Sequence, residues 1–320
     1  MILEVQDANR PWNLWFTRIV NNRGGRLHLR YIFYRNEDEQ TIDEMNDLHL
    51  FYLDRRVHPI GWSSTANDNN NPSIYSYELP SCCSNLEVDK QILIDFCLTQ
   101  SKNQFLPSNI FKEQEQYSKH RFHQGMKLEV FDLKTQNISI GTIGTIHNEF
   151  YFDVLIDNES QCSFVGHSTH PHILPARWAS QHKFILLNQK GFKQTDEFWN
   201  DYTERNGFVD LASEKCFHLI TLNSTGSNQA EPGMKMEMIE RVNHEDFVFS
   251  VTLVHVADHL MWLRIDDTTL FDDELQFYHV LPINSLDIFP VGWAKFNGFQ
   301  LKTPMEYQIH FKHYQQNRYE

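Results

Sequence analysis

At 320 residues the chain exceeds one typical domain and is long enough to bury two or three modest cores. Its 41% apolar and 22% charged residues, with 24 Phe, 12 Tyr and 7 Trp, exclude a disordered chain. A formal net charge of -14 argues against a nucleic-acid surface as the main function, and suits either basic partners or plain solubility.

In chain order, the first signal is an echo. Met1-Ile-Leu-Glu-Val-Gln-Asp7 returns as Met126-Lys-Leu-Glu-Val-Phe-Asp132 and as Met234-Lys-Met-Glu-Met-Ile-Glu240, each with Glu three residues after Met and an acid six after it. Each echo is followed by a Pro-x-x-Trp: Pro59 to Trp62, Pro175 to Trp178 and Pro290 to Trp293. Two anchors in the same order three times predict three copies of one unit.

Between the anchors, Leu27 to Phe33, Phe150 to Ile156 and Leu260 to Ile265 read as strands, preceded in the later copies by Ile138 to Ile146 and Phe247 to His255. Each copy therefore predicts a small antiparallel barrel, closed near the Pro-x-x-Trp with Trp plugging the core. The connecting segments predict helices over Thr195 to Asn206, where Phe198, Trp199 and Tyr202 fall near helical spacing, and over Asp89 to Thr99. The predicted domains are 1-85, 86-190 with its preceding arm, 191-310 with its preceding arm, and a tail over 311-320.

The five cysteines (Cys82, Cys83, Cys97, Cys162, Cys216) form no CxxC pair, so neither a disulfide framework nor a cysteine zinc site is indicated. No apolar run reaches membrane-spanning length and no signal-peptide pattern opens the chain, which predicts a soluble intracellular protein with no membrane partner. His167, His170 and His172 are dense enough to consider a metal, but they lack a companion Cys or carboxylate at a known spacing, so a solvated loop is the simpler reading. No nucleophile elbow, phosphate-cradling glycine loop or catalytic carboxylate pair is present, so no enzyme and no cofactor are predicted. The acidic stretches Asn36 to Asp47 and Asp266 to Glu274 read as exposed loops.

Gly125-Met-Lys-Leu-Glu129 with Asp132, Gly233-Met-Lys-Met-Glu237 with Glu240, the ends His58-Pro-Ile-Gly-Trp62 and Ile288-Phe-Pro-Val-Gly-Trp293, and the arm Phe198 to Gly207 together resemble the malignant brain tumour (MBT) repeat family over nearly the whole chain. The resemblance implies a mainly β fold of three tandem small SH3/Tudor-like barrels linked by helical arms. Met1 stands where the motif methionine belongs with no arm before it, so the first repeat is expected to be N-terminally truncated, which leaves room for a fourth repeat upstream.

The family's function, by the same resemblance, is a nuclear chromatin-binding role in transcriptional repression, with histone tails carrying mono- or dimethyl-lysine as ligands and no direct nucleic-acid specificity. An alkylated ammonium gains about 0.5 to 2 kcal/mol from desolvated aromatic faces, and an acid hydrogen-bonds any N-H that remains. Carried over, the acid falls at Asp7, Asp132 and Glu240, and an Asn expected three residues later is Arg10, Thr135 and Asn243. The two strand aromatics fall on Tyr31 and Tyr34 in repeat 1, on Ile156 and Glu159 in repeat 2, and on Ile265 and Thr268 in repeat 3. A third aromatic is expected at Phe51 or Tyr52, at Cys162, and at Phe277 or Tyr278. The candidate cage is thus Asp7, Tyr31, Tyr34 and Phe51, with a secondary degenerate one at Glu240, Asn243 and Phe277. The alternative is a scaffold with decayed cages that binds histones or repressor proteins regardless of methylation; a Tudor-like methylarginine binder is a third class. An open pocket at Asp7, Tyr31 and Tyr34 separates the first two, and its filling from within favours the scaffold.

Overall fold

A computed structural model describes the chain apart from residues 35-46, 67-73, 103, 105-110, 112-113, 115-116, 134, 157-162, 185, 188-194, 207-208, 219-229, 243-244, 267-277 and 303-320. The chain divides into two compact units, Met1–Tyr117 and Ser118–Glu320. The first holds one curled sheet and the second holds two, all three with the same topology.

Barrel 1 is built from β1 (Ile2–Gln6), β2 (Asn13–Arg23), β3 (Arg26–Tyr31), β4 (Leu48–Phe51), β5 (Val57–His58) and β6 (Ser76–Tyr77). The strands run in the order β4-β3-β2-β1-β5, and β6 lies parallel to β2. In β3 the alternation Arg-Leu-His-Leu-Arg-Tyr puts Leu27, Leu29 and Tyr31 inward and the charged residues outward. Gly24 and Gly25, at φ of 57 and 90, form the two-residue turn that pairs Arg23 with Arg26. A bulge between Ile19 and Asn21 bends the long strand so that the sheet curls.

Barrel 2 repeats this order with β7 (Lys127–Asp132), β8 (Asn137–Ile146), β9 (Phe152–Ile156), β10 (Phe164–Gly166), β11 (Ile173–Leu174) and β12 (Leu186–Leu187). Barrel 3 follows with β13 (Lys235–Val242), β14 (Glu245–Ala257), β15 (Leu260–Ile265), β16 (Tyr278–Pro282), β17 (Ile288–Phe289) and β18 (Leu301–Lys302). The bulge recurs in β8 and β14. The predicted strands are found within one to three residues at each end, and Leu260 to Ile265 is reproduced exactly as β15.

The two sequence anchors meet through one buried carboxylate in each copy. Glu4, Glu129 and Glu237 are fully buried. After each Pro-x-x comes a short helix, α1 (Trp62–Ala66), α3 (Trp178–Gln181) and α5 (Trp293–Asn297), and the glutamate accepts the backbone N-H groups at its start. The donors are Gly61 (2.6 Å) and Ser63 (3.1 Å), Arg177 (2.8 Å) and Ala179 (2.7 Å), and Gly292 (2.7 Å) and Ala294 (2.7 Å). An otherwise orphaned helix start is thereby satisfied by the first strand, which holds the barrel's two ends together. Burial raises the Glu4 and Glu129 carboxyls above the ordinary range even against these donors.

Of the three repeated tryptophans, only Trp178 is a core plug, at 2% exposure. Trp62 and Trp293 are half-buried and lie flat on His58 (3.5 Å) and Phe289 (3.8 Å). The difference comes from barrel 3, whose Ala257, Leu260, Trp262 and Val280 complete one cluster with Phe131, Trp178 and Trp199.

Both predicted helices form, as α2 (Lys90–Ser101), capped by Asp89 on the Ile92 N-H at 3.1 Å, and as α4 (Thr195–Asn206). Each packs on the barrel that precedes it in sequence. From α2, Leu93 joins Trp15 and Tyr31, and Cys97 joins Ile2, Phe16 and Ile32. From α4, the Trp199 indole N-H donates to Glu129 at 2.7 Å, a third bond to that carboxylate that Tyr77 supplies to Glu4. Among the described residues no helix is long and apolar enough to cross a membrane.

Candidate functional site

Asp7 stands where β1 ends and the chain turns toward β2. One of its oxygens accepts the Asn9 N-H (2.7 Å) and the Arg10 N-H (3.2 Å), a local turn of the kind short acids favour. Ser81 then approaches from the far side of the sequence. Its hydroxyl lies 2.9 and 2.7 Å from the two carboxylate oxygens, and its backbone N-H also donates to the second. Ser81 begins a 3-10 turn, Ser81–Cys83, so the carboxylate caps this turn as it does its own loop. At 5% exposure Asp7 has both oxygens engaged from within the chain.

Tyr31 ends β3 beside it and is also 5% exposed, packed with Trp15 and Leu93 and 5.9 Å from Phe33. Burial pushes its phenol well above the ordinary range, and the nearby Cys82 and Asp7 push in the same direction. The Arg56 guanidinium, ion-paired with Asp54 at 3.2 Å, stands in electrostatic reach of the same ring. Arg56 is thus a cation of the chain itself that acts electrostatically on the Tyr31 ring.

Tyr34 is half-buried, three residues beyond Tyr31. Phe51 is elsewhere. It pairs with Arg26 at the opposite end of β3 from Tyr31, about 17 Å away at 3.3 Å per strand residue. Its ring lies tilted against Tyr52 at 5.0 Å. The structure thus brings together Asp7 and Tyr31 and leaves Phe51 apart, on the outer face of the sheet.

In barrel 2, Asp132 accepts a local bond from Thr135 Oγ1 at 2.7 Å, and the first aromatic position is the buried Ile156. Glu159 and Cys162 lie outside the described residues. In barrel 3, Glu240 is 3.5 Å from His279 Nε2 and the strand position is the buried Ile265. Asn243, Thr268, Phe271 and Phe277 lie outside the described residues. The imidazoles of His167, His170 and His172 pack as a ring cluster, with Phe164 stacked on His170 and His172 Nε2 donating to the Val280 carbonyl at 3.1 Å. Of the three, His172 bonds barrel 2 to barrel 3.

An open cleft of about 740 Å³ lies between the Arg10 loop and the start of α2. Arg10, Glu78, Leu86, Glu87, Val88 and Lys90 line it, with Lys90 bonded to Glu78 at 2.7 Å. Neither Asp7 nor Tyr31 opens into it. The Ser81 contact was missed by sequence reasoning because it joins residues 74 positions apart. The glutamate clasp had a visible signal, an acid at a fixed place ahead of each Pro-x-x-Trp.

Known proteins agree with the repeat. The family model for the mbt repeat matches residues 1–72, 126–193 and 234–308. Scm-like with four MBT domains protein 2 of Mus musculus is 28% identical over 97% of this chain and 32% of its own length. Scm-like with four MBT domains protein 1 of Mus musculus is 30% identical over 96% of this chain and 34% of its own. MBT domain-containing protein 1 of Homo sapiens is 24% identical, over 95% and 43%. The chain thus spans about a third of the length of the Scm-like relatives it matches. Among solved structures, the four MBT repeats of Drosophila melanogaster Sfmbt in complex with the peptide RHR(me)KVLR align at 20% identity and a TM-score of 0.43, over 95% of this chain and 66% of that one. With three matched segments in register with three like sheets, the chain belongs to the MBT repeat family.

Proposed function

We propose that this chain is a nuclear chromatin-binding module, not an enzyme, that engages histone tails in transcriptional repression and does so without reading lysine methylation. The observation that carries the reading is Asp7, whose two oxygens are already bonded by Ser81. A methylammonium entering there must first displace donors covalently tied to the same chain, and an internal cation, Arg56, already acts electrostatically on Tyr31. Barrels 2 and 3 have Ile156 and Ile265 where the strand aromatic belongs, so neither offers a better cage. The net charge of -14 supports attraction of Lys- and Arg-rich tails, and the module also suits repressor-complex proteins as partners.

A second reading, capture of mono- or dimethyl-lysine at Asp7, Tyr31 and Tyr34, is favoured by the placement of Asp7 beside Tyr31. It requires withdrawal of the Ser81 turn. Titration of unmodified, monomethylated and dimethylated histone peptides distinguishes the two. Equal affinities are expected, and a clear preference for the methylated forms, lost in Tyr34→Ala, establishes the second reading instead.

A further inference from the structure

Two adjacent cysteines, Cys82 and Cys83, follow Ser81 in the turn that closes on Asp7. Cys82 is exposed, Cys83 is 6% exposed, and their Sγ atoms lie 3.5 Å apart in a hydrogen bond. Both stand in electrostatic reach of Tyr31, and Cys82 also of Asp7. We propose that Cys82 and Cys83 are a redox modification site, and that a disulfide formed between them opens the pocket of Asp7 and Tyr31 to mono- or dimethyl-lysine. This rests on the reading above, that Ser81 keeps the pocket closed in the reduced chain.

The turn cannot keep its shape across that bond. Successive side chains in a 3-10 turn point about 120° apart. Neighbouring Cα atoms are about 3.8 Å apart, whereas a disulfide is usually spanned by Cα atoms about 4.4 to 6.8 Å apart. Joining the two sulfurs therefore takes the backbone between them out of helical dihedrals. The bond that closes the turn, from the Cys83 N-H to the Pro80 carbonyl at 2.9 Å, goes with it, and Ser81, the first residue of the turn, leaves Asp7. The Asp7 oxygen held by the Asn9 and Arg10 N-H groups stays engaged. The other, bonded by the Ser81 N-H and hydroxyl, is freed. A free carboxylate oxygen beside an aromatic ring is the pairing that a partly methylated ammonium needs.

The oxidant is a low-molecular-weight disulfide of the oxidised glutathione class. The Cys82 thiolate attacks it, forming a mixed disulfide and releasing one small thiolate. Cys83 then attacks the Cys82 sulfur, forming the bond between the two cysteines and releasing the second small thiolate. Two protein thiols are oxidised, the oxidant takes both electrons, and the two protons leave on the two released thiols. The first step needs only the exposed sulfur, and the second needs only its neighbour, already at 3.5 Å. Burial holds the Cys82 thiol above its ordinary range against the hydrogen bond from Cys83, so the exchange is slow at neutral pH. A disulfide this constrained is readily reduced again, as suits a reversible modification.

The test uses the full chain, either reduced with dithiothreitol or treated with oxidised glutathione at about pH 8.5, where an ordinary thiol is half ionised. After oxidation, mass mapping should find the peptide that carries Cys82 and Cys83 short of two hydrogen atoms, and the Ser81 amide should exchange faster with deuterium. Titrated with dimethyl-lysine and unmodified histone peptides, the reduced chain should show equal affinities. The oxidised chain should prefer the methylated peptide about tenfold, as one hydrogen bond to a charged group is recovered. Dithiothreitol should abolish that preference. Cys82→Ser, a change at an exposed position, should keep the affinities equal under either treatment. No disulfide between the pair, a preference that survives in Cys82→Ser, or a disulfide with affinities still equal overturns the proposal and leaves the closed pocket standing. A preference already present in the reduced chain overturns the closed pocket itself and the switch with it, so the two failures are told apart.

Discussion

Asp7 and Asp132 occupy the same place in their repeats, six residues after the motif methionine, and are put to different uses. Asp7 is sealed by a turn that begins 74 residues later, and α2 covers the tyrosine beside it. Asp132 bonds Thr135 in its own loop, while the hydrophobic surface of barrel 2 goes into a cluster completed by barrel 3. The same sheet topology therefore closes a polar pocket in one copy and builds a shared core in the next. What decides between these outcomes is the segment after the barrel: Ser81 and Leu93 follow the first, whereas Trp199 follows the second and reaches its buried glutamate.

The largest effect that can break this comparison is loss of the shared cluster. Trp262 is 8% exposed, meets Phe131 edge-on at 6.0 Å and stacks on Phe184 at 5.0 Å. Trp262→Ala should cost about 3 to 5 kcal/mol, and hydrogen exchange should accelerate in β7 to β9 as well as in β14 and β15. Acceleration confined to barrel 3 contradicts a common core.

Next in size is a pH dependence in barrel 1. His58 is 3% exposed and burial draws its imidazole down to about 3. The unfolded chain titrates near 6.5, so between pH 6.5 and about 3 it binds the extra proton. Stability present above pH 6.5 is then lost as pH falls, by about 1.4 kcal/mol per unit from this group. His58→Phe keeps the stack on Trp62 and should flatten the acid limb of a urea-unfolding series by one proton.

Trp199→Phe tests the clasp in barrel 2 by removing the indole donor to Glu129 while keeping an aromatic ring; about 2 kcal/mol of stability should go with it. The smallest effect is a gain. Arg177 adopts φ of 77 at the place where Gly61 and Gly292 stand in the other repeats. Arg177→Gly should stabilise barrel 2 by about 1 kcal/mol in thermal unfolding, since a Cβ is strained there, less whatever its 3.0 Å bond to Asn200 contributes.

Much of this was legible in the chain. Alternation in β3 and the aromatic spacing of α4 reflect local periodicity, which survives without tertiary context. The parity of Phe51 was legible too: with Leu48 and Leu50 alternating around His49, Phe51 belongs to the outer face, and the family correspondence hid this. The Ser81 contact and the reach of Arg56 were not legible. They depend on where two distant turns meet, and no spacing encodes that. The arms are similar, since the helices were evident while the barrel each would cover was not.

The central claim is that Asp7 serves the fold and not a ligand. Asp7→Ala strips the Asn9, Arg10 and Ser81 donors of their acceptor. Measured side by side, urea unfolding should show a loss of about 1 to 3 kcal/mol, and the affinity for a dimethyl-lysine histone peptide should equal that of the unaltered chain. Unchanged stability together with lost affinity for the methylated peptide contradicts the account.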